Sequence, residues 1–164
     1  MNYEIWPQRQ AFGLVNLIAV LQRVKNSKVV VDGKIIGEIG NGLNILLGMA
    51  NDDENSDVDL LAKKISKFRI FSDKNCNMNL SIQDVKGSAL VISQFTLCAD
   101  VKQGNRPGFS YTAKPEIANE LYEYFIQKLK NYDIPVESGS FGAMMDVHLI
   151  NDGPVTFVLN SKEK

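Results

Sequence analysis

Residues 17–49 read LIAVLQRVKNSKVVVDGKIIGEIGNGLNILLGM, and this stretch decides the fold class. Runs rich in β-branched residues alternate here with turn residues, as in Gly33-Lys34 and Asn41-Gly42. The runs are Leu17–Val24, Lys28–Asp32, Ile35–Ile39 and Leu43–Met49. Short β-rich runs bounded by Gly and Asn are typical of strands joined by tight turns. The first third of the chain is therefore predicted to form a β meander.

Two amphipathic helices are predicted further along the chain. From Asp57 to Phe71, apolar residues recur every three to four positions, which is the spacing of one helix face, and Asp57 suits the N-cap. A second helix is predicted to begin at Pro115, a residue favoured in the first turn, and to end before Pro135.

The remaining strands complete one α/β domain. They are predicted at Ser88–Phe95, Val136–Ser138, Val147–Ile150 and Val155–Leu159. The expectation is a single domain over residues 17–164, with antiparallel and mixed β-sheets of about eight strands and two main helices. Residues 1–16 show neither strand nor helix periodicity and are interpreted as an N-terminal extension of unknown conformation.

Composition excludes several classes of protein. Two cysteines, Cys76 and Cys98, and a single histidine, His148, fit no zinc-ligand spacing, so neither a metal nor another cofactor is expected. The segment Gly40-Asn41-Gly42 lacks the residues of a phosphate loop or dinucleotide fingerprint. The formal net charge of −1 predicts that any RNA contact depends on a local basic patch. Neither a membrane span nor a leader peptide is recognisable, which predicts a cytoplasmic protein.

Two segments carry polar or turn residues where a plain core would not require them. Ser93–Leu97, SQFTL, places a polar pair at the end of a buried strand, from which side chains and backbone N–H groups can face a cleft. Asn151–Thr156, NDGPVT, contains a Gly-Pro pair for which a cis peptide is accessible. A strand-end cap and an ordinary hairpin turn are the structural alternatives.

Together these segments resemble the two signature motifs of the D-aminoacyl-tRNA deacylases, also called D-tyrosyl-tRNA deacylases. Further matches run in the family's order over about residues 17–160. They are Gln22-Arg23-Val24, Val31-Asp32-Gly33, Gly40–Leu43, Gly104–Pro107, Ser138-Gly139 and Phe141–Met145. The extension at residues 1–16 departs from the family, whose members usually begin close to the Gln22-Arg23-Val24 strand.

The resemblance implies a three-layer α/β hydrolase that forms a homodimer with its active site at the subunit interface. A cis Gly153-Pro154 turn would enter the partner's pocket, and Arg23 would brace that turn; a surface salt bridge is the alternative role for Arg23. Backbone atoms suit an enzyme that accepts many side chains yet rejects L-amino acids, because main-chain geometry is indifferent to side-chain identity. Glycine also permits close approach.

The resemblance further implies that Ser93, Gln94, Phe95 and Thr96 form the catalytic segment. Backbone N–H groups of Phe95 and Thr96 would stabilise the developing oxyanion. Thr96 is an alternative nucleophile, but no base adjacent in sequence activates it. We favour a mechanism in which the terminal 2′-hydroxyl of tRNA helps to activate water.

Four further residues are expected to bind the substrate. Phe141 and Met145 would wall the terminal adenosine, with core packing as the alternative. Lys102 and Arg106 are candidates for phosphate contact, with a solvated loop as the alternative. The implied partner is the 3′ end of an aminoacyl-tRNA, with no DNA and no membrane.

The leading hypothesis is an esterase that hydrolyses D-aminoacyl-tRNA, and by the same resemblance tRNA carrying glycine, as a proofreading and tRNA-recycling activity. A catalytically silent module that binds D-amino acids or a tRNA end on the same fold is the alternative. An interaction domain without either property is a third interpretation. Intact Gln94, Thr96, Gly153 and Pro154 favour the enzyme.

Overall fold

The computed structural model describes residues 16–102 and 104–162, and within them the chain forms eight strands and two helices. The strands are β1 (Ile18–Val31), β2 (Lys34–Ile39), β3 (Gly42–Gly48), β4 (Phe71–Ser72), β5 (Met78–Leu80), β6 (Ser88–Ser93), β7 (Val136–Ser138) and β8 (Asp146–Asn160). The helices are α1 (Asn55–Ser66) and α2 (Pro115–Asn131), and a 3₁₀ helix spans Phe95–Cys98. The predicted α/β class with two main helices is confirmed. The predicted extension lies outside the described residues, apart from Asn16.

The main sheet is mixed. Its strand order is β2-β1-β3-β6-β7, and β8 pairs with β1. Strand β1 is antiparallel to β2, β3 and β8, whereas β3, β6 and β7 are parallel to one another. The parallel pairings are connected through α1 and α2, because parallel neighbours need a crossover connection. Strands β4 and β5 form a separate small sheet.

Three layers result from the way the sheet folds over itself. The larger core lies between the helices and one face of the sheet and includes Leu47, Leu61 and Phe125. A second core lies where β2 crosses over β6 and β7. The two layers approach closely at this point, since a Cβ added to Gly37 of β2 would lie 2.7 Å from Ser138 O of β7. Its members are Val24, Val29, Ile39, Leu90 and Ile92. The expected three layers are therefore present. They are the two helices, the part of the sheet that contains β3, β6 and β7, and a folded-over layer, which consists of β2 and the segments of β1 and β8 that lie beside it.

Two pairs of predicted strands are in fact single long strands. The runs Leu17–Val24 and Lys28–Asp32 both belong to β1, because the polar residues between them keep pairing with β8, as Asn26 does with Ile150. Likewise the runs Val147–Ile150 and Val155–Leu159 both belong to β8. The prediction of separate strands was wrong because polar residues interrupt the apolar alternation in the sequence, whereas the backbone pairing between β1 and β8 continues through them.

The segment Asn151–Thr156 is consequently a bulge within β8 and not a hairpin turn. Val24 pairs with Asn151 and Gln22 pairs with Thr156, so that the four residues between them lie opposite Arg23 alone. Extra residues on one strand bend it and push its backbone outward. The Gly153-Pro154 pair therefore projects from the strand, where both residues are exposed.

Other predicted boundaries shift by a few residues. Helix α1 has Glu54 at the N-cap, and the Asp57 carboxylate, one turn in, accepts the Glu54 backbone N–H at 3.0 Å. The helix ends at Ser66 and not at the predicted Phe71, which opens β4. Helix α2 begins at Pro115 as predicted. The strand predicted to reach Phe95 ends at Ser93, and the chain continues into the 3₁₀ helix.

Among the described residues, neither helix has the length and apolar character needed to cross a membrane.

Candidate active site

A cavity opens at the carboxyl ends of the three parallel strands. Met49 follows β3, Phe95 follows β6, and Phe141 follows β7, and all three line the cavity. The carboxyl ends of neighbouring parallel strands meet at one edge of a sheet, and open α/β sheets bind ligands there. The fold therefore brings to one place residues that are far apart in sequence.

The cavity has a volume of about 430 Å³ and is predominantly apolar. Its remaining wall comes from the chain before α2 and from the first turn of that helix. The lining residues are Met49, Ser93, Phe95, Phe109, Thr112, Ala113, Lys114, Pro115, Ala118, Phe141 and Gly142. Apolar cavities of this size with few polar groups are typical of small-molecule sites.

Aromatic side chains form the mouth of the cavity and one side of its wall. The rings of Phe95 and Phe109 lie 5.1 Å apart and are 55% and 42% exposed, respectively. Behind Phe141, the ring of Tyr122 lies at 5.8 Å, and the Tyr122 hydroxyl donates to Val91 O at 2.7 Å. Burial raises the pKa of Tyr122 to about 12, so this hydroxyl stays neutral and structural.

The 3₁₀ helix presents unpaired backbone donors beside the cavity. Gln94 N donates to Leu47 O at 2.8 Å, and the first bond of the 3₁₀ turn runs from Leu97 N to Gln94 O at 3.2 Å. The N–H groups of Phe95 and Thr96 precede that bond and have no intrahelical acceptor. Within the described part of the chain, neither donates to another backbone carbonyl.

Gly48 allows this helix to pack closely against the end of β3. A Cβ at that position would lie 2.9 Å from Leu97 Cβ and 3.0 Å from Gln94 O. Any side chain there would have to displace the 3₁₀ helix, since contacts under 3.0 Å essentially never occur. Gly48 thus positions the two free N–H groups, a role that the sequence did not suggest.

Side chains near these donors offer little acid–base chemistry. The Gln94 side-chain amide donates to the Thr96 hydroxyl. Of the residues that line the cavity, only Lys114 carries an ionisable side chain. His148 pairs with Lys28 of β1 in the folded-over layer, away from the cavity wall. Burial raises the pKa of the Cys98 thiol to about 11, with the Asp53 charge adding to it, so that thiol stays neutral.

The Gly-Pro bulge is held from within by Asn151. Its side-chain oxygen accepts Val155 N at 2.7 Å, and its side-chain amide donates to Val155 O at 3.2 Å and Thr156 Oγ1 at 3.0 Å. The Gly153-Pro154 peptide bond is cis, and Gly153 has φ of +152°, a region that side chains disfavour. A Cβ at Gly153 would also lie 2.7 Å from Val155 N.

Arg23 holds the bulge from the neighbouring strand. Its Nε donates to Asp152 O at 2.9 Å and lies 3.6 Å from an Asp152 carboxylate oxygen. Its Nη1 donates to Ile70 O at 2.6 Å, and the residue is only 9% exposed. A guanidinium fork can bind two carbonyl groups in fixed directions, which suits it to this position. Arg23 therefore ties the bulge to the segment after α1.

The bulge and the cavity lie far apart within one chain. Strands β1 and β3 separate β8 from β6. Ser93 of β6 pairs with Leu47 of β3, which in turn pairs with Ala19 of β1. Ala19 lies four positions along β1 from Arg23, the residue opposite the bulge. Strand spacings near 4.8 Å and rises near 3.3 Å per residue place Gly153-Pro154 and Ser93 about 20 Å apart. One chain therefore does not bring its own bulge to its own cavity.

Three predicted substrate-binding residues lie away from the cavity wall. Met145 packs against the second core, with its sulfur over Gly139. Lys102 and Arg106 are exposed on a loop whose base is closed by paired hydrogen bonds between Asp100 and Gly108, at 2.7 and 2.9 Å.

The sequence reasoning missed much of the cavity wall. The missed residues are Met49, Phe109, Thr112, Ala113, Lys114, Pro115, Ala118 and Gly142. One signal was present, because Met49 directly follows an apolar strand. A residue directly after a strand indicates a site only where neighbouring strands run parallel, because their carboxyl ends then meet. The predicted β meander gave β3 no parallel neighbour.

No group of three or more His, Cys, Asp or Glu side chains able to hold a metal ion occurs in residues 16–102 and 104–162.

Comparisons with known proteins agree with this architecture. The family model described as D-Tyr-tRNA(Tyr) deacylase matches residues 20–160. A D-aminoacyl-tRNA deacylase of Persephonella marina is 57% identical, with 89% of this chain and 99% of the relative covered. The corresponding protein of Thermosipho africanus is 54% identical, with 88% and 97% covered.

Solved structures show the same fold. That of a c-Myc DNA unwinding element binding protein matches with a TM-score of 0.83 and 36% identity, covering 89% of this chain and 99% of the other. That of a probable eukaryotic D-amino acid tRNA deacylase matches with a TM-score of 0.77 over 88% and 98%, and at 15% identity it shows the fold alone. The chain belongs to the D-aminoacyl-tRNA deacylase family.

Proposed function

We propose that this protein is a D-aminoacyl-tRNA deacylase, which hydrolyses the ester bond between a D-amino acid, or glycine, and tRNA. Family membership over residues 20–160 supports the reaction class. The observation that carries the assignment to a site is the pair of unpaired N–H groups, Phe95 and Thr96, beside an apolar cavity. Donors fixed in this way stabilise the oxyanion that forms when water attacks an ester carbonyl.

Hydrolysis at this site depends on orientation and on oxyanion stabilisation. The terminal adenosine would occupy the apolar cavity between the Phe95 and Phe141 side chains, with Met145 supporting the wall from the second core. Ser93 and Gln94 would hold the ester carbonyl against the two donors. The cavity lining offers no carboxylate or imidazole base, so the terminal 2′-hydroxyl of tRNA would assist the attacking water. Thr96 then acts through its backbone and not as a nucleophile.

Selection for the D-configuration is assigned to Gly153-Pro154 of a second copy of this chain. The bulge is exposed, rigidly held by Arg23 and Asn151, and about 20 Å from the cavity of its own chain. A homodimer in which each bulge enters the other subunit's cavity would complete two sites. The bulge would then exclude L-amino acids by main-chain contact near the α-carbon, independently of the side chain.

Contacts with the rest of the tRNA are assigned to the loop that carries Lys102 and Arg106. With a formal net charge of −1 the whole protein attracts RNA little, so tRNA binding would depend on local basic groups such as these. The cytoplasm, where tRNA is charged, is the proposed location.

The deciding experiment follows ester loss from tRNA charged with D-tyrosine and, separately, with L-tyrosine. We expect fast loss of the D-ester and loss of the L-ester at the rate measured without enzyme. Equal rates on both esters would refute chiral selection. Tight binding without turnover would identify a silent binding module.

A matched pair of variants connects that selectivity to the bulge. Gly153→Ala puts a Cβ 2.7 Å from Val155 N, whereas Gly33→Ala introduces a side chain at another positive φ, +77°, with no atom within 4 Å. We expect Gly153→Ala to lower the rate on the D-ester and to weaken the preference for it over the L-ester, and Gly33→Ala to do neither. Equal behaviour of the two variants would remove the bulge from the mechanism.

A further inference from the structure

One feature of the cavity is not explained by binding an adenosine and an amino acid. The wall is apolar apart from Ser93, Thr112 and Lys114, and neither a nucleoside base nor a ribose requires a cation. Lys114 nevertheless lies in the wall with its side chain exposed. A positive charge at the entrance to an otherwise apolar cavity is suited to an anionic group that remains at that entrance.

Lys114 projects from a rigid part of the backbone. Its carbonyl accepts the first α2 bond, from Ala118 N at 2.9 Å, and the preceding residue, Ala113, donates to Met49 O at 3.1 Å. The backbone of Lys114 is therefore held in place, and only rotation about its side-chain bonds can move the ammonium group.

The end of α2 adds to the positive potential. Lys114 is the N-cap and Pro115 the first helical residue, so the N–H groups of Glu116 and Ile117 have no acceptor within the helix. The partial positive charge of a helix N-terminus favours anions. Among the described residues, Lys114 forms no ion pair within 4.0 Å, and the carboxylate of the first turn, Glu116, does not line the cavity.

Thr112 supplies a polar group on the same wall. Its hydroxyl is buried and has no hydrogen-bond partner among the described residues. A buried polar group without a partner is costly. The cation and the unsatisfied hydroxyl both come from the three residues before α2.

We propose that Lys114, with the first turn of α2, binds the phosphate that joins the terminal nucleoside of the substrate to the preceding nucleotide. The inference rests on the proposed function, because it requires a terminal nucleoside in the cavity. A polynucleotide whose last nucleoside fills a cavity leaves it through that phosphodiester. Lys114 would thus make the site selective for the end of an RNA strand over a free aminoacyl nucleoside.

The test compares two substrates that carry a phosphate at this position with one that lacks it. They are D-tyrosyl-tRNA, the D-tyrosyl ester of adenosine 5′-monophosphate, and the D-tyrosyl ester of adenosine. The variants are Lys114→Ala and Lys114→Glu, with Lys130→Ala as the control at the opposite, exposed end of α2. For Lys114→Ala we expect KM to rise about tenfold on the two phosphorylated substrates, with kcat nearly unchanged.

The same variant should leave KM for the adenosine ester unchanged. Lys114→Glu should raise KM for the phosphorylated substrates by more than Lys114→Ala does, and it should also leave the adenosine ester unaffected. Lys130→Ala should match the unaltered protein. The slope of log affinity for tRNA against log salt should fall by about one in Lys114→Ala. Losses of equal size on all three substrates would show a structural role, and no loss on any would place the phosphate elsewhere; either result overturns the inference.

A binding measurement separates this inference from the proposed reaction. Calorimetry compares adenosine with the dinucleotide CpA, which carries the phosphodiester in question but no ester to hydrolyse. A preference for CpA that Lys114→Ala removes supports the phosphate site even if the protein proves inactive on every ester. Equal affinity of the unaltered protein for both ligands overturns the site even if deacylation is confirmed.

Discussion

The cavity and the Gly-Pro bulge are built in opposite ways. The cavity is assembled from the ends of β3, β6 and β7 and the start of α2, and its members are spread over about a hundred residues. The bulge is six consecutive residues of one strand, closed by the Asn151 side chain and by a single arginine from the next strand. One is a concave apolar surface, and the other is an exposed segment of main chain.

This difference teaches where specificity can reside. An apolar wall adapts to its ligand by side-chain movement and discriminates weakly between similar groups. A main-chain segment held by hydrogen bonds at both ends cannot adapt, so it can exclude one configuration at a carbon atom. The following predictions test whether the two regions act as the halves of one shared site.

The largest effect is expected from combining one defect in each half. In the proposed homodimer, Gly48→Ala would displace the 3₁₀ helix with its two donors and Gly153→Ala would distort the bulge, so each variant by itself should lose about a hundredfold in rate. Heterodimers with one subunit of each kind, purified through two different tags, should regain about half of the unaltered rate. One of their two sites would then combine an unaltered cavity with an unaltered bulge.

Deacylation of D-tyrosyl-tRNA by the purified heterodimer measures this recovery. A site made within one chain predicts no recovery, because each subunit carries one defect. Heterodimers that carry Gly48→Ala in both subunits and Gly153→Ala in one serve as the control and should stay inactive.

A smaller effect is expected at the brace of the bulge. Arg23→Ala would leave Asp152 O and Ile70 O without their donor, and hydrogen bonds from a charged group contribute about 1.5–3 kcal/mol each. We expect the free energy of unfolding to fall by about 3 kcal/mol and the rate on D-tyrosyl-tRNA by at least about tenfold. Urea unfolding and deacylation measure the two quantities.

Two comparisons make the Arg23 result specific. Arg23→Lys keeps the charge but lacks the fork that reaches both carbonyls, so it should recover little activity. Arg69→Ala also removes an arginine that donates to a backbone carbonyl, Asn79 O at 2.8 Å, but at an exposed position. It should change stability and rate only slightly. Full activity in Arg23→Ala would separate the brace from catalysis.

The smallest effect is expected between the helices, outside both halves of the site. The Lys128 ammonium lies 2.7 Å from the Asp59 carboxylate and holds the pKa of that carboxyl below its usual range. A lowered pKa in the folded state contributes stability above the unfolded-state pKa. This contribution is lost as the pH falls through the folded-state pKa.

Asp59→Asn should therefore lower Tm slightly at neutral pH, because the pair is solvent-exposed, and the difference should vanish in acid. Deacylation at neutral pH should stay unchanged. Thermal melts from neutral to acidic pH measure the effect. A difference in Tm that grew on acidification would contradict the assigned direction of the pKa.

Local pattern predicted the elements that depend on nearest neighbours in the sequence. The Pro115 helix start and the strand Val136–Ser138 are found as predicted. Pattern failed where distant pairing decided the outcome. Polar residues near Asn26 and the bulge at Asn151 interrupt the periodicity, yet β1 and β8 continue through both because each pairs with the other.

The site divides along the same line. The motif residues Ser93, Phe95 and Phe141 could be named from the sequence, and all three line the cavity. Gly48 and Lys114 could not, because their significance depends on what lies opposite them: the 3₁₀ helix in one case and the cavity mouth in the other. Neither partner is encoded near those residues.

The sequence by itself determined the α/β class, both helices, most strands and the two motifs, because hydrophobic period, turn residues and helix-start residues act over a few neighbouring positions. The tertiary structure alone decided that β3, β6 and β7 run parallel, that their ends enclose a cavity, and that the bulge lies about 20 Å from it. Strand pairing and layer packing join residues distant in sequence, and their free energy depends on contacts that no local pattern contains.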